Sequence, residues 1–189
     1  MFVDKRKLFE LEKEFKKLQE NSMAMISTSA ENYFEVYLFI LEVMLNQFKA
    51  EGVCLTMNRS ADNLIGILES RNIDTKNAYF VDCISKTAGI EKPIDRCGYV
   101  SHPESLEEIN MYITTYVDEM QGNNKFLFFD SISTLLIYND VKTVLQFINY
   151  SIQRTRAFNM RGIFMLTKKE LEPKFVGQMI QFCDKFLEV

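Results

Sequence analysis

Short, continuously apolar runs that alternate with helix-like stretches constrain this chain more than any other feature of its sequence. The clearest runs are MAMIS (23–27), VCLTM (53–57), AYFVDCI (78–84), KFLFFDS (125–131) and GIFMLT (162–167), and weaker ones lie at 98–101 and 185–189. Strands that are apolar on both faces belong to a parallel sheet that helices cover on both sides. The sequence therefore predicts an α/β fold with three layers, α/β/α, around a mostly parallel sheet.

The segments between these runs predict the helices. One helix is expected over about 30–50, ending near Gly52 as its C′ glycine. Ser60 is a suitable N-cap for a second helix over ADNLIGILESRN. Pro103 and the acidic residues that follow it suit the first turn of a third helix, which ends near residue 120. Two more helices are expected at about 141–158 and 175–182.

The first 21 residues differ in character from the rest. Leu8, Leu11, Phe15 and Leu18 recur at spacings of three and four, and charged residues fill most positions between them. This spacing predicts an amphipathic helix with a coiled-coil-like stripe. The stripe either packs on the chain's own domain or contacts a partner or a second copy. We therefore expect an N-terminal helix over 1–21 and one domain over 22–189.

Composition and charge exclude several classes of protein. A net charge of -4 argues against a surface that binds nucleic acid throughout. The four cysteines form no CxxC pair and His102 is the only histidine, so a Cys/His zinc site is not expected. Buried, reduced cysteines and the absence of a secretory signal predict a cytoplasmic protein. The apolar run 33–45 contains Glu35 and Glu42 and is too short for a membrane span.

The order of the segments resembles the RecA/KaiC-like branch of the P-loop ATPases. The segments that carry the resemblance are AMISTSAENYFEVYLFILEVML, EGVCLTMNRSADNLIGILESRNID, AYFVDCIS, KFLFFDSISTLLIYND and RGIFMLTKKELEP with the closing MIQFCDKFLEV. The resemblance covers about 22–189 and implies a RecA-like arrangement of the predicted sheet. It also implies a phosphate loop after the first strand and a Walker B aspartate after the KFLFF strand.

The residues at the phosphate-loop position do not supply the chemistry of such a loop. Phosphate loops use glycines for close backbone approach and a lysine for the charge of the phosphates. The aligned turn STSAENYF has neither, and it places Glu31 and Glu35 where phosphates would lie. Thr28 and Glu31 instead have the spacing of a capping box, which would satisfy the helix N–H groups internally. Ordinary phosphate binding is therefore expected to be absent.

Two further positions bear on the same question. The resemblance implies a catalytic glutamate after the second strand, where Asn58 and Arg59 stand instead. Neither side chain acts as a general base at neutral pH. Asp130 does match the Walker B aspartate, although a residue at a strand end also serves to hydrogen-bond an adjacent turn. The candidate vestigial nucleotide site is thus Thr28, Ser29 and Asp130, with no metal site.

A set of basic residues lies near the end of the chain: Arg154, Arg156, Arg161, Lys168, Lys169 and Lys174. Such a set forms a solvated face, a contact for an acidic partner or another protomer, or, least in keeping with the charge, a nucleic-acid contact.

We expect from the sequence a non-catalytic RecA/KaiC-like pseudo-ATPase domain that acts as a regulatory or protein-interaction module. Its expected partners are a second copy of itself or a related active ATPase, and no cofactor is expected. The first alternative is an ATP-binding enzyme with an atypical loop, in which ATP and Mg²⁺ would contact Asp130 and residues 27–29. The second is a DNA-repair or recombination accessory protein that acts through the arginines.

Overall fold

A computed structural model describes residues 4–167 and 173–189. Its strands are β1 Met23–Thr28, β2 Glu51–Thr56, β3 Ala78–Asp82, β4 Cys97–Tyr99, β5 Lys125–Phe129, β6 Arg161–Thr167 and β7 Lys185–Glu188. Its helices are α1 Lys5–Lys17, α2 Tyr33–Leu41, α3 Ala61–Ser70, α4 Ser85–Ala88, α5 Leu106–Glu119, α6 Ile132–Tyr138, α7 Val141–Ala157 and α8 Pro173–Ile180. A π-helical segment, Glu42–Gln47, continues α2.

The seven strands form one sheet in the order β4-β3-β2-β5-β6-β1-β7, and every neighbouring pair is parallel. Successive strand residues face opposite sides of a sheet, so a fully apolar strand supplies two cores. In β5, Phe126 and Phe128 pack with α1, α2 and α3, whereas Leu127 and Phe129 pack with α5, α6, α7 and α8. The predicted α/β fold is confirmed, and its described sheet is entirely parallel.

The parallel arrangement places the carboxyl ends of all strands at one edge. Asp82 is the last residue of β3, Asp130 follows β5, and Thr28 ends β1. β6 lies between β1 and β5 and ends at Thr167, which pairs with Thr28. The turns that carry the candidate residues are therefore neighbours at one edge of the sheet.

Helix α1 packs on the chain's own core. Leu11 and Phe15 are buried in the same cluster as residues of α2 and β1. Leu18, the C-cap residue of α1, belongs to that cluster too. The Arg161 Nε–H group of β6 donates a hydrogen bond to the Leu18 carbonyl at 3.1 Å. Of the two roles that the sequence left open for the stripe, packing on its own chain is the one observed in the structure.

The predicted capping box at the start of α2 is wrong. Thr28 still belongs to β1, where it is buried, and its Oγ1 has no hydrogen-bond partner among the described residues. The helix begins at Tyr33 after Asn32, whose side chain makes no capping hydrogen bond. Strand pairing with β6 continues to Thr28, so the chain needs four more residues before it turns into the helix.

The predicted C′ role of Gly52 is also wrong. The chain leaves the π-helical segment through Lys49, which has a φ of 50°. Gly52 lies in β2 beneath Phe126, and a Cβ atom there would be 2.1 Å from the Phe126 ring. This glycine is required by close packing between neighbouring strands. Helices α4 and α6 were not predicted from the sequence, and α8 begins about two residues earlier than predicted.

None of the described helices is long and apolar enough to cross a membrane.

Candidate functional site

Two adjoining cavities open at the carboxyl edge of the sheet. The larger, which we call the neutral cavity, has a volume of about 680 Å³ and lies among the β1–α2 turn, α6, the end of β6 and α8. Its described lining combines hydroxyl and amide groups with apolar side chains: Ala30, Tyr33, Asn58, Ser131, Ser133, Thr134, Leu136, Ile137, Val141, Thr167 and Phe175. No charged side chain is among them. A cavity of this size and lining suits an uncharged ligand surface.

The smaller cavity, which we call the acidic cavity, has a volume of about 370 Å³. It is lined by Ala30, Tyr33, Phe34, Tyr37, Asn58, Arg59 and Asp130. Ala30, Tyr33 and Asn58 line both cavities, so the two form one continuous cleft. The acidic cavity combines three aromatic rings with one carboxyl and one guanidinium group.

Asp130 is only 3% exposed and its two carboxyl oxygens are in different situations. Oδ2 accepts a hydrogen bond from the Met57 N–H group at 3.2 Å, whereas Oδ1 has no partner among the described residues. Burial raises the Asp130 pKa to about 7, although the Met57 and Asn58 N–H groups and the Arg59 charge oppose the rise. Asp130 therefore holds the β2–α3 loop through Oδ2, while Oδ1 is buried without a donor among the described residues.

Of the three predicted site residues, Asp130 alone lines the cleft. Thr28 is buried in the β1 ladder, and Ser29 lies in the following turn, where its carbonyl accepts the Asn32 N–H group at 3.1 Å. Neither residue lines the two cavities. The turn itself contributes to the cleft through Ala30.

Asn58 and Arg59 line the cleft, a role that was not predicted from the sequence. The Arg59 guanidinium lies 4.0 Å from the centroid of the Phe34 ring, which follows the β1–α2 turn. Asn58 Oδ1 accepts a hydrogen bond from the Thr134 hydroxyl group at 2.6 Å and so joins the β2 and β5 ends of the cleft. A cation thus lies beside the first turn of α2, just after the β1–α2 turn. The position of Asn58 and Arg59 directly after β2 was the signal available in the sequence.

The charge of Glu35 is also offset, which the sequence did not indicate. Arg71 Nη1 and Nη2 contact Glu35 Oε2 and Oε1 at 2.8 and 2.7 Å, so the pair is bidentate. Hydrogen bonding to Arg71 lowers the Glu35 pKa. Arg71 lies 36 residues after Glu35 in the chain and is the C-cap residue of α3. Only the packing of α3 beside α2 brings the two together.

The arginines of the predicted basic set are used within the chain. Arg156 pairs with Asp184 at 3.1 Å, and Arg154 lies 4.6 Å from the centroid of the Phe158 ring. Arg161 donates to the Leu18 carbonyl and, at 2.5 Å, to Asn124 Oδ1. Lys168 and Lys169 lie outside the described residues. The three arginines are thus engaged in separate contacts of the fold.

The described residues contain no group of three or more His, Cys, Asp or Glu side chains that could hold a metal ion. Asp130 is the one carboxylate in the part of the cleft lining that the structure describes.

Residues 53–189 match the sequence model of a family of unknown function (DUF7090). The chain belongs to this family. The family segment includes Asn58, Arg59 and Asp130, whereas the β1–α2 turn precedes it. No curated protein matches the sequence.

Several solved structures share the fold. An uncharacterized protein, PH0321, from Pyrococcus horikoshii is 14% identical, with a TM-score of 0.69 over 95% of this chain and 82% of that chain. The flagellar accessory protein FlaH from Methanocaldococcus jannaschii is 12% identical, with a TM-score of 0.63 over 95% of this chain and 76% of that chain. The KaiC-like protein PH0186 from Pyrococcus horikoshii OT3 is 14% identical, with a TM-score of 0.59 over 89% and 72%. These likenesses establish a RecA/KaiC-like fold for this family member.

Proposed function

We propose that this protein is a non-catalytic RecA/KaiC-like module that binds another protein through the cleft at the carboxyl edge of its sheet. Residues 22–189 would form the binding domain, and the N-terminal helix would serve as its packed extension. A second copy of the chain or a related ATPase is the partner that we expect. The neutral cavity is the observation on which the proposal rests.

The lining of the neutral cavity favours a protein segment over a triphosphate. A triphosphate needs several cationic or N–H donors because its charge is otherwise uncompensated. The described lining supplies hydroxyl groups, amides and apolar side chains. Such a surface matches the mixture of backbone amides and apolar side chains that a peptide presents.

Apolar side chains at the mouth of the cavity support the same proposal. Ile137 and Val141 line the cavity, yet they are 75% and 51% exposed. Tyr138 between them is half exposed. A cluster of exposed apolar residues beside a cavity is typical of an interaction site. PH0321, which has the same fold, was crystallised in complex with an unknown peptide.

The second candidate function is nucleotide binding through an atypical loop. Arg59 favours it, because this side chain places a cation opposite the β1–α2 turn. Asp130 would then orient Mg²⁺, as the resemblance implies. This candidate predicts that nucleotide binding depends on both residues.

Calorimetry with Mg-ATP and Mg-ADP at millimolar concentration separates the two candidates. We expect no saturable heat for the wild-type protein. Saturable binding that Arg59→Gln and Asp130→Asn both abolish would establish the nucleotide candidate in place of the interaction module.

The interaction itself is tested with peptides selected on the immobilised protein from a random phage-displayed library. We expect Ile137→Glu and Val141→Glu to reduce their binding at least tenfold. Met111→Glu on α5 is the matched control, because Met111 is 53% exposed and lies outside the cleft. Peptides that bind all three variants equally would contradict the proposed site.

A further inference from the structure

We propose that the acidic cavity receives the ammonium group of a lysine side chain, supplied by the protein segment that the neutral cavity binds. This inference rests on the proposed function, and it specifies the chemistry of the partner. The residues that carry it are Tyr33, Phe34, Tyr37 and Asp130.

The free oxygen of Asp130 is the first element of the site. Oδ2 already accepts the Met57 N–H group, but Oδ1 is buried without a described partner at a wall of the cavity. A buried acceptor without a donor destabilises the folded state, because the desolvation of its oxygen is not compensated. A ligand that brings a donor to Oδ1 removes this cost, and a cationic donor gains most because charge-assisted hydrogen bonds are stronger.

A second buried polar atom lies in the same cavity. Tyr37 lines this cavity together with Asp130, and its hydroxyl group is buried without a hydrogen-bond partner among the described residues. A tyrosine hydroxyl accepts as well as donates. The described lining therefore contains two acceptors that lack a described donor, Asp130 Oδ1 and Tyr37 Oη.

Aromatic rings form the remaining walls on the β1–α2 side. Tyr33, Phe34 and Tyr37 all line the acidic cavity, and ring faces attract cations. The Arg59 guanidinium, 4.0 Å from the Phe34 centroid, already makes such a contact at one wall. Aromatic rings together with one carboxylate are the surroundings in which proteins hold organic cations.

The geometry favours an ammonium over a guanidinium or a divalent metal ion. A guanidinium binds a carboxylate best through two parallel hydrogen bonds, but among the described residues only Oδ1 of Asp130 lacks a donor. A divalent ion needs several oxygen ligands, and Asp130 is the one carboxylate in the described lining. An ammonium is compact and its three donors can reach single acceptors in different directions.

The source of the ammonium follows from the shape of the cleft. Ala30, Tyr33 and Asn58 are shared by both cavities, so a chain seated in the neutral cavity can extend one side chain into the acidic one. The apolar stem of lysine suits the aromatic walls. Arg59 is exposed, so solvent weakens its repulsion of the incoming charge.

The test compares Nα-acetyl-lysine methylamide with its uncharged counterpart, Nα-acetyl-norleucine methylamide, by NMR titration of the full chain at pH 8, where Asp130 with its pKa of about 7 is mostly ionised. We expect the lysine compound to shift the amide signals of Asn58 and Arg59 saturably and to bind at least tenfold more tightly than the norleucine compound. Asp130→Asn should abolish this difference, whereas Asp62→Asn, an exposed carboxylate paired with Lys92, should preserve it. Phe34→Leu should weaken lysine binding and provides a second variant if Asp130→Asn folds poorly.

Equal affinities for the two compounds, or no saturable shifts, would overturn the inference. So would lysine binding that persists in both Asp130→Asn and Phe34→Leu. The selected peptides separate this failure from that of the proposed function. If they lose binding with Ile137→Glu but tolerate lysine-to-norleucine exchange, the lysine site is wrong and the interaction module stands.

Discussion

The carboxylate of Asp82 accepts a hydrogen bond from the Ala61 N–H group at 2.8 Å and so joins the end of β3 to the start of α3. The same carboxylate accepts the Ile84 and Ser85 N–H groups, each at 2.9 Å, and the Ser85 hydroxyl at 2.7 Å. Asp82 is fully buried. One side chain thus fixes two turns at the carboxyl edge of the sheet, beside the β2–α3 loop that carries Arg59.

Replacing Asp82 should destabilise the fold strongly. Asp82→Ala leaves three N–H groups and one hydroxyl without their acceptor, so we expect a loss of about 3–5 kcal/mol in the free energy of unfolding. Urea denaturation measures it. Asp140→Ala is the control, because Asp140 caps α7 at an exposed position and should cost only about 1 kcal/mol. Similar losses for both variants would contradict the structural role of Asp82.

Gly52 and Gly66 should respond in opposite directions to alanine. A Cβ at Gly52 meets the Phe126 ring at 2.1 Å, so Gly52→Ala should cost about 1–3 kcal/mol through overpacking. A Cβ at Gly66 on α3 meets nothing within 4 Å, so Gly66→Ala should stabilise the protein by about 0.5–1 kcal/mol. Thermal and urea unfolding of the two variants give the comparison. A neutral Gly52→Ala would show that β2 does not approach Phe126 so closely.

Asp130 should make stability fall as pH rises through the neutral range. Its folded-state pKa of about 7 lies above the value of about 3.9 for an unfolded aspartate. Between these values the folded state holds a proton that the unfolded state has lost. As pH rises from 4 to 7, the titration of Asp130 therefore lowers the free energy of unfolding by about 1.4 kcal/mol per pH unit. Above pH 7 both states are ionised, and Asp130 causes no further loss.

Asp130→Asn removes this slope, so the variant should gain stability relative to wild type between pH 5 and pH 8. The neighbouring Tyr37, Cys54 and Cys83 stay neutral there because burial raises the pKa of each. Urea denaturation at pH 5, 6, 7 and 8 measures the difference between the two proteins. A constant difference across this range would be inconsistent with a buried, titrating Asp130.

Side-chain truncation on the two faces of α1 should change the free energy of unfolding by very different amounts. Phe15 is fully buried, so Phe15→Ala should cost about 3–5 kcal/mol. Phe9 is 57% exposed, so Phe9→Ala should change stability by no more than about 0.5 kcal/mol. Unfolding curves at two protein concentrations complete the test. Concentration dependence together with a small Phe15→Ala effect would favour the partner contact that the sequence also allowed.

The fold was predictable because each strand is marked by its own apolar run, and this local pattern recurs along the chain. Each strand of the sheet interior is a short apolar run, and strand alternation places Phe126 and Leu127 in different cores whichever helices cover them. The details that failed depend on distant neighbours. Thr28 extends β1 because Thr167 is there to pair with it, and Gly52 is needed because Phe126 lies over it.

The features of the candidate site also separate into those that the sequence determined and those that depended on the tertiary structure. The sequence by itself determined that the turn after β1 has no glycine or lysine and that an aspartate follows β5. Tertiary structure alone decided that Arg59 lies over Phe34 just after that turn, that Arg71 offsets Glu35, and that one oxygen of Asp130 is buried without a partner among the described residues. The physical reason is that composition and periodicity are properties of adjacent residues. Charge pairing and desolvation depend instead on which strand ends meet at the edge of the sheet.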